Sequence, residues 1–113
     1  MRMDADRVLA DLRELADLTG GPDGARRVCW TDEWTKARDF LRSRLGELPV
    51  EVSIDQAGNL WADLPGEAEG FVIVGSHVDS VPAGGWLDGA LGIFTALEAL
   101  RQAAQNGPPA VGV

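Results

Sequence analysis

The feature that most constrains the fold is a short apolar run, followed by a glycine-rich loop and a second apolar segment of helical spacing. Phe71-Val72-Ile73-Val74 is continuous and mostly β-branched, as expected for a central strand that is covered on both faces. After the loop from Gly75 to Gly92, apolar residues recur at helical spacing between Ala90 and Ala104. Ala110 to Val113 then begins another apolar run. The order strand, helix, strand predicts a βαβ unit in an α/β fold with a mixed sheet.

The residues before this unit predict two amphipathic helices and a β-hairpin. Between Asp6 and Leu18, apolar residues recur at helical spacing, and the glycines from Gly20 to Gly24 end that helix in a loop. A second helix is predicted from an N-cap at Thr31 to near Gly46. Apolar residues alternate with polar ones at 50–54 and at 60–64, on either side of turn residues, which predicts a hairpin with one buried face.

Composition and charge exclude several classes of partner. The 113 residues carry 18 acidic and 10 basic side chains, a formal net charge of −8, which disfavours nucleic acids and anionic lipid surfaces. The longest apolar run is far shorter than the roughly 20 residues of a membrane-spanning helix. The single cysteine, Cys29, cannot form an internal disulfide, and the first residues lack the apolar stretch of a secretion signal. We therefore expect a cytoplasmic protein without nucleic-acid or membrane partners.

The glycine-rich loop concentrates the residues that can bind a metal ion. It reads G-S-H-V-D-S-V-P-A-G-G-W-L-D-G-A-L-G and contains His77, the only histidine of the sequence, together with Asp79 and Asp88. His77 and Asp79 follow a predicted strand at alternate positions, so extended geometry points both side chains the same way and lets the carboxylate support the imidazole. Asp88 lies at the start of the predicted helix, where glycines give the backbone the freedom to turn its carboxylate inward.

Each of these residues also has an ordinary structural explanation. A lone histidine after a strand is more often a hydrogen-bonded structural group than a metal ligand, and an aspartate before a helix is more often an N-cap. Glycines are common in any turn between a strand and a helix. A phosphate-binding loop is rejected because the lysine of a P-loop is absent. Taken singly, the residues leave both a metal site and a structural loop open.

Taken together, the loop sequence resembles the metal-binding motif of the zinc aminoacylase and carboxypeptidase superfamily, in which G-S-H-x-D-[ST]-V-x-x-G-G-x-x-D-G is typical. The resemblance is closer to the N-carbamoyl-L-amino-acid hydrolase and allantoate amidohydrolase branch. Two further segments are similar to that branch in the same order, G-A-R-R-V-C-W-T at 24–31 and D-Q-A-G-N-L at 55–60. The resemblance therefore covers nearly the whole chain.

The resemblance implies roles for individual residues. His77 matches a metal ligand, Asp79 matches the residue that supports its imidazole, and Asp88 matches the aspartate that bridges two divalent ions, which are zinc or alternatively manganese or cobalt. A cis peptide bond between Asp88 and Gly89 is also implied. Arg27 matches a recurrent arginine of the branch, but a salt bridge between the two N-terminal helices explains it equally well, so it stays unassigned.

The resemblance also identifies what this sequence lacks. In the family, an adjacent Glu-Glu pair supplies the general base and a further ligand, and no such pair occurs here. We therefore expect residues 1–113 to be the incomplete N-terminal portion of one zinc-peptidase-like catalytic domain, without the dimerisation (lid) domain, with at most a partial metal site and without activity of its own.

The complete protein is expected to be a homodimer that hydrolyses the C–N bond of small carbamoyl or ureido substrates, such as N-carbamoyl amino acids. Two alternatives stay open. One is a non-catalytic binding or interaction module that keeps the fold, and the other is a fragment of a related zinc aminoacylase or peptidase.

Overall fold

The computed structural model describes residues 2–113, and within them three helices form the main body of the fold. The helices are α1 (Ala5–Thr19), α2 (Asp32–Leu45) and α3 (Ala90–Ala103). The predicted N-cap of α2 is confirmed, because the Thr31 hydroxyl accepts a hydrogen bond from the backbone N–H of Trp34. Asp4 caps α1 in the same way. No helix within the described residues is both long and apolar enough to cross a membrane.

Short strands complete the fold. Those within residues 2–113 are β1 (Gly20–Gly21), β2 (Gly24–Ala25), β3 (Glu51–Ile54), β4 (Leu60–Asp63), β5 (Ala68–Phe71) and β6 (Val111–Gly112). β1 pairs with β2 and β3 with β4, both antiparallel, whereas β5 and β6, which α3 connects, pair in parallel. Reciprocal backbone hydrogen bonds of 2.8 and 2.9 Å between Leu64 and Val113 join the hairpin to the parallel pair. The α/β class, the hairpin and the βαβ unit are therefore confirmed, and β1–β2 lies where only a loop was predicted.

The hydrophobic core lies between the three helices. Leu12 and Leu15 of α1 and Phe94 of α3 are inaccessible to solvent. The ring of Phe94 contacts that of Phe40 on α2, with centroids 5.7 Å apart. Ala90, the first residue of α3, is also fully buried. This packing fixes the start of α3, and the loop that carries the predicted metal ligands leads directly into it.

The predicted burial of the apolar run at Phe71–Val74 is wrong. β5 ends at Phe71, and the side chains of the run are between 46% and 75% exposed. Within residues 2–113, β5 pairs only with β6, so its other edge and much of its surface contact solvent. The strand also ends earlier than predicted, because only Phe71 of the run lies in β5 and Val72 to Val74 have no regular secondary structure.

One buried acidic residue, Glu98, ties α3 to the beginning of α1. Its carboxylate is inaccessible to solvent and accepts hydrogen bonds of 2.8 Å from both Nε and Nη2 of Arg7. Gln102 and the backbone N–H of Asp4 donate to the same carboxylate. Burial alone would raise the pKa of Glu98, but these hydrogen bonds outweigh burial and lower the pKa from 4.5 to about 2.

We expect the stabilising contribution of Glu98 to the folded chain to be lost in acid. Because its pKa is lower in the folded chain than in the unfolded chain, its contribution is present above about pH 4.5 and is lost as the pH falls towards 2. A pKa shift of this size corresponds to a contribution on the order of 3 kcal/mol to the free energy of unfolding. Urea unfolding between about pH 7 and pH 3 measures it. Glu98→Gln should be less stable at pH 7 and less sensitive to acid; an equally steep loss in this variant would contradict the assignment.

Candidate metal site

The candidate site lies on the segment that connects β5 to α3. Residues 72–81 have no regular secondary structure, and His77 and Asp79 lie in this stretch. Asp88 lies immediately before Gly89, the N-cap position of α3. The structure therefore brings the three predicted site residues together beyond the carboxyl end of β5, the position at which ligands bind in open α/β sheets.

The imidazole of His77 lies between the two carboxylates. Its Nδ1 is 3.2 Å from Oδ1 of Asp79 and 3.1 Å from the backbone oxygen of the same residue. On the other side of the ring, Nε2 is 3.7 Å from Oδ2 of Asp88. With the proton on Nδ1, the ring donates to Asp79 and presents the lone pair of Nε2 towards Asp88.

Nε2 of His77 and the carboxylate of Asp88 fit one shared transition-metal ion. Two atoms that bind the same zinc ion at about 2.1 Å each, at a tetrahedral angle, lie about 3.4 Å apart. The observed separation is 3.7 Å, and the two side chains are 52% and 71% exposed. Within residues 2–113, however, no group of three or more His, Cys, Asp or Glu side chains could hold a metal ion. The described chain therefore offers a ligand pair, not a complete set.

The ordinary explanation of Asp88 as a helix cap does not hold. No side chain makes a capping hydrogen bond at the N-terminus of α3, where Gly89 occupies the cap position. The Asp88 carboxylate instead lies beside the imidazole of His77 and faces solvent. A carboxylate that neither caps a helix nor is buried keeps its lone pairs available for a ligand.

Gly89 permits the close approach of α3 to His77. Its φ of 67° lies in the left-handed region, which favours glycine. A Cβ at this position would collide with the backbone oxygen of His77 and lie 2.5 Å from both Nδ1 and Cε1 of its ring. The cis peptide bond expected between Asp88 and Gly89 is wrong, because every peptide bond of the described residues is trans.

Arg27, which the sequence left unassigned, lies against the site segment. Its side chain is completely buried, and its Nε donates a hydrogen bond of 2.7 Å to the backbone oxygen of Val78. Its backbone N–H donates a hydrogen bond of 3.0 Å to the Ser80 hydroxyl, and its backbone oxygen accepts one of 2.9 Å from the Ser80 backbone N–H. The salt bridge between the N-terminal helices, which was the alternative explanation for Arg27, is made by Arg44 and Asp11 instead. The only sequence signal for Arg27 was the similarity of the segment around it.

Known proteins match this chain in sequence and in fold. The sequence profile of Peptidase family M28 matches residues 59–113. Ureidoglycolate hydrolase from Oryza sativa subsp. japonica is 32% identical over 108 residues, which cover 93% of this chain and 22% of the relative. N-carbamoyl-L-amino-acid amidohydrolase from Paenarthrobacter aurescens is 34% identical over 105 residues, which cover 91% and 26%, respectively.

A solved structure shows the same arrangement of elements. The hydantoinase/carbamoylase family amidase from Burkholderia ambifaria superimposes with a TM-score of 0.84 at 33% identity, over 89% of this chain and 26% of the amidase. This chain spans about a quarter of the length of the curated relatives it matches. The resemblance to the N-carbamoyl-L-amino-acid hydrolase branch is confirmed by these matches. On sequence and fold together, the chain matches hydantoinase/carbamoylase family amidases over about a quarter of their length.

Proposed function

We propose that this chain supplies the first part of the active site of a metal-dependent hydrolase that cleaves the C–N bond of N-carbamoyl amino acids or related ureido acids. The observation that carries the proposal is the position of the His77 imidazole between Asp79 and Asp88. The names of the relatives support the substrate class, because they describe a ureidoglycolate hydrolase and an N-carbamoyl-L-amino-acid amidohydrolase.

In this proposal, His77 and Asp88 would hold the divalent ions, with Asp88 in the bridging role. Asp79 accepts the Nδ1–H of His77, which fixes the tautomer and increases the basicity of Nε2. Divalent ions such as zinc, when bound, lower the pKa of a coordinated water to about 7 and polarise a carbonyl group. The two carboxylates place negative charge beside the imidazole, which favours a cation over an anion at this position.

The proposed activity belongs to the whole protein. No adjacent pair of glutamates occurs in the sequence to supply a general base, and no third ligand joins His77 and Asp88 within residues 2–113. We propose that the 113-residue chain binds metal weakly and does not hydrolyse these substrates. A homodimer, a small carbamoyl or ureido substrate and a cytoplasmic location are proposed for the whole protein.

Metal binding by the chain tests the proposal. Titration with Co²⁺, followed by visible absorption, should show saturable binding that His77→Ala and Asp88→Asn each weaken by at least about tenfold, and that Asp79→Asn weakens by about tenfold or more. Asp17→Asn is the matched control, because Asp17 is exposed on α1. Equal affinities in His77→Ala, Asp88→Asn and the control would contradict the assigned ligands. Metal-dependent hydrolysis of N-carbamoyl amino acids by the chain alone would contradict the incomplete site.

A further inference from the structure

One buried cation next to the site lacks the partners that its burial requires. Arg27 is 0% exposed, yet its Nη1 and Nη2 have no hydrogen-bond partner among the residues that the structure describes. Buried polar side chains are normally satisfied, and burying an unpaired charge opposes folding. The contribution of Arg27 to stability alone therefore does not explain an arginine at this position.

Every hydrogen bond of Arg27 is made to the segment that carries the metal ligands. Its Nε donates to the backbone oxygen of Val78, its backbone N–H donates to the Ser80 hydroxyl, and its backbone oxygen accepts from the Ser80 N–H. Two residues earlier, Ala25 and Gly84 exchange two backbone hydrogen bonds, of 2.9 and 3.2 Å. The short stretch 25–27 therefore runs alongside 80–84 as an antiparallel support.

The electrostatic surroundings point to the same two carboxylates. Burial lowers the pKa of Arg27, whereas the charges of Asp79 and Asp88 raise it. The negative charges of these two aspartates therefore act on the guanidinium. The same aspartates are also the two residues that flank the imidazole of His77.

We propose that Arg27 is a positioning residue for His77, and this rests on the proposed function only in treating His77 as a metal ligand. Val78 joins His77 to Asp79, so a hydrogen bond from Arg27 to its carbonyl fixes the backbone between these two side chains. The imidazole then keeps Nδ1 on Asp79 and Nε2 towards Asp88. Arg27 acts through the backbone and touches neither the metal nor the substrate.

The tautomer of His77 tests this proposal without metal or substrate. His77 is the only histidine of the sequence, so the ¹⁵N signals of its ring need no assignment. In the neutral ring, the ratio of the Nδ1–H form to the Nε2–H form reports its hydrogen bonding. The chain carrying wild-type Arg27 should have predominantly the Nδ1–H form.

Substitutions of Arg27 separate positioning from stability. Arg27→Met removes the donor to Val78 and should lower the tautomer ratio by about two- to tenfold, as expected for the loss of one hydrogen bond. The urea midpoint should stay the same or rise, because an unpaired buried charge has been removed. Arg27→Gln places an amide nitrogen at the position of Nε, so it should keep the ratio within about twofold of wild type.

Glu98→Gln is the matched control, because Glu98 is also buried and hydrogen-bonded, but it lies in the second half of α3 and pairs with Arg7 of α1. It should lower the urea midpoint without changing the tautomer ratio. If the tautomer ratio changes no more in Arg27→Met than in Glu98→Gln, the proposal is overturned, whether or not the urea midpoint changes. If Arg27→Met does not fold, Arg27→Lys replaces it in the test, because the lysine nitrogen lies one bond farther from Cα than Nε of arginine. A tautomer ratio below that of Arg27→Gln then supports the proposal, and an equal tautomer ratio overturns it.

The tautomer measurement and the metal titration can each contradict one proposal without contradicting the other. A loss of the tautomer effect leaves the assignment of His77 and Asp88 as ligands untouched. An absence of metal binding leaves the link between Arg27 and the His77 ring to be measured as before, because the NMR samples contain no metal.

Discussion

Gly89→Ala should abolish metal binding by His77 and Asp88 and destabilise the folded chain. The new Cβ would collide with the backbone oxygen and the ring of His77, and it would sit on a residue with φ of 67°. Either the imidazole or the start of α3 has to move. We expect the Co²⁺ affinity to fall by about 100-fold or more, since ligands must be held to within about 0.5 Å. Left-handed strain and overpacking together should lower the free energy of unfolding by about 2–4 kcal/mol.

Gly107→Ala and Gly70→Ala are matched controls for this change. Both glycines also have positive φ, 90° and 92°, but a Cβ at either position would meet nothing within 4 Å. In these two variants the free energy of unfolding should fall only by the backbone contribution of about 1–2 kcal/mol, and the Co²⁺ affinity should equal that of the unchanged chain. Co²⁺ titration and urea unfolding of the three variants measure both effects. Normal Co²⁺ affinity in Gly89→Ala would show that the close approach to His77 is not needed.

Phe94→Ala should remove about 3–5 kcal/mol from the free energy of unfolding, which is a large share of the roughly 5–15 kcal/mol of a typical domain. Phe94 is inaccessible to solvent and lies at the centre of the core, against Phe40 of α2. Truncating it leaves a cavity among side chains that three helices hold in place. Because α3 begins at the candidate site, we also expect weaker binding of Co²⁺ under conditions in which the variant is partly unfolded.

Leu91→Ala on the same helix is the control for Phe94→Ala. Leu91 is 46% exposed and lies outside the buried core. Its truncation should change the free energy of unfolding by less than about 1 kcal/mol. Urea unfolding followed by circular dichroism compares the two variants directly. If both substitutions had the same effect, the core could not lie between the helices as described.

The elements that the sequence predicted well are those that local residues determine. The Thr31 cap and the apolar periodicity after it define α2, whereas α3 is defined by apolar periodicity without a side-chain cap. The pairing of His77 with Asp79 follows from their alternate positions along an extended backbone. The meeting of His77 and Asp88 was implied by the family resemblance, since no local rule determines how a glycine-rich loop turns.

The features that sequence analysis missed depend on contacts between distant residues. Arg27 reaches a carbonyl 51 positions away, and Arg7 reaches Glu98 across 91 positions. No periodicity or spacing indicates such pairs. The burial of Phe71–Val74 was predicted wrongly for a related reason: an apolar run indicates which surface prefers to be covered, but the neighbouring strands decide whether it is.

The contact between Arg7 and Glu98 also has a consequence for biosynthesis. The ribosome adds about 5–20 residues per second, so the 91 positions between them correspond to roughly 5–20 s of translation. During that interval α1 can pack against α2 but not against α3, so its apolar face, which includes Leu12 and Leu15, is only partly covered. The nascent chain therefore keeps part of the apolar surface of α1 uncovered until α3 has been synthesised.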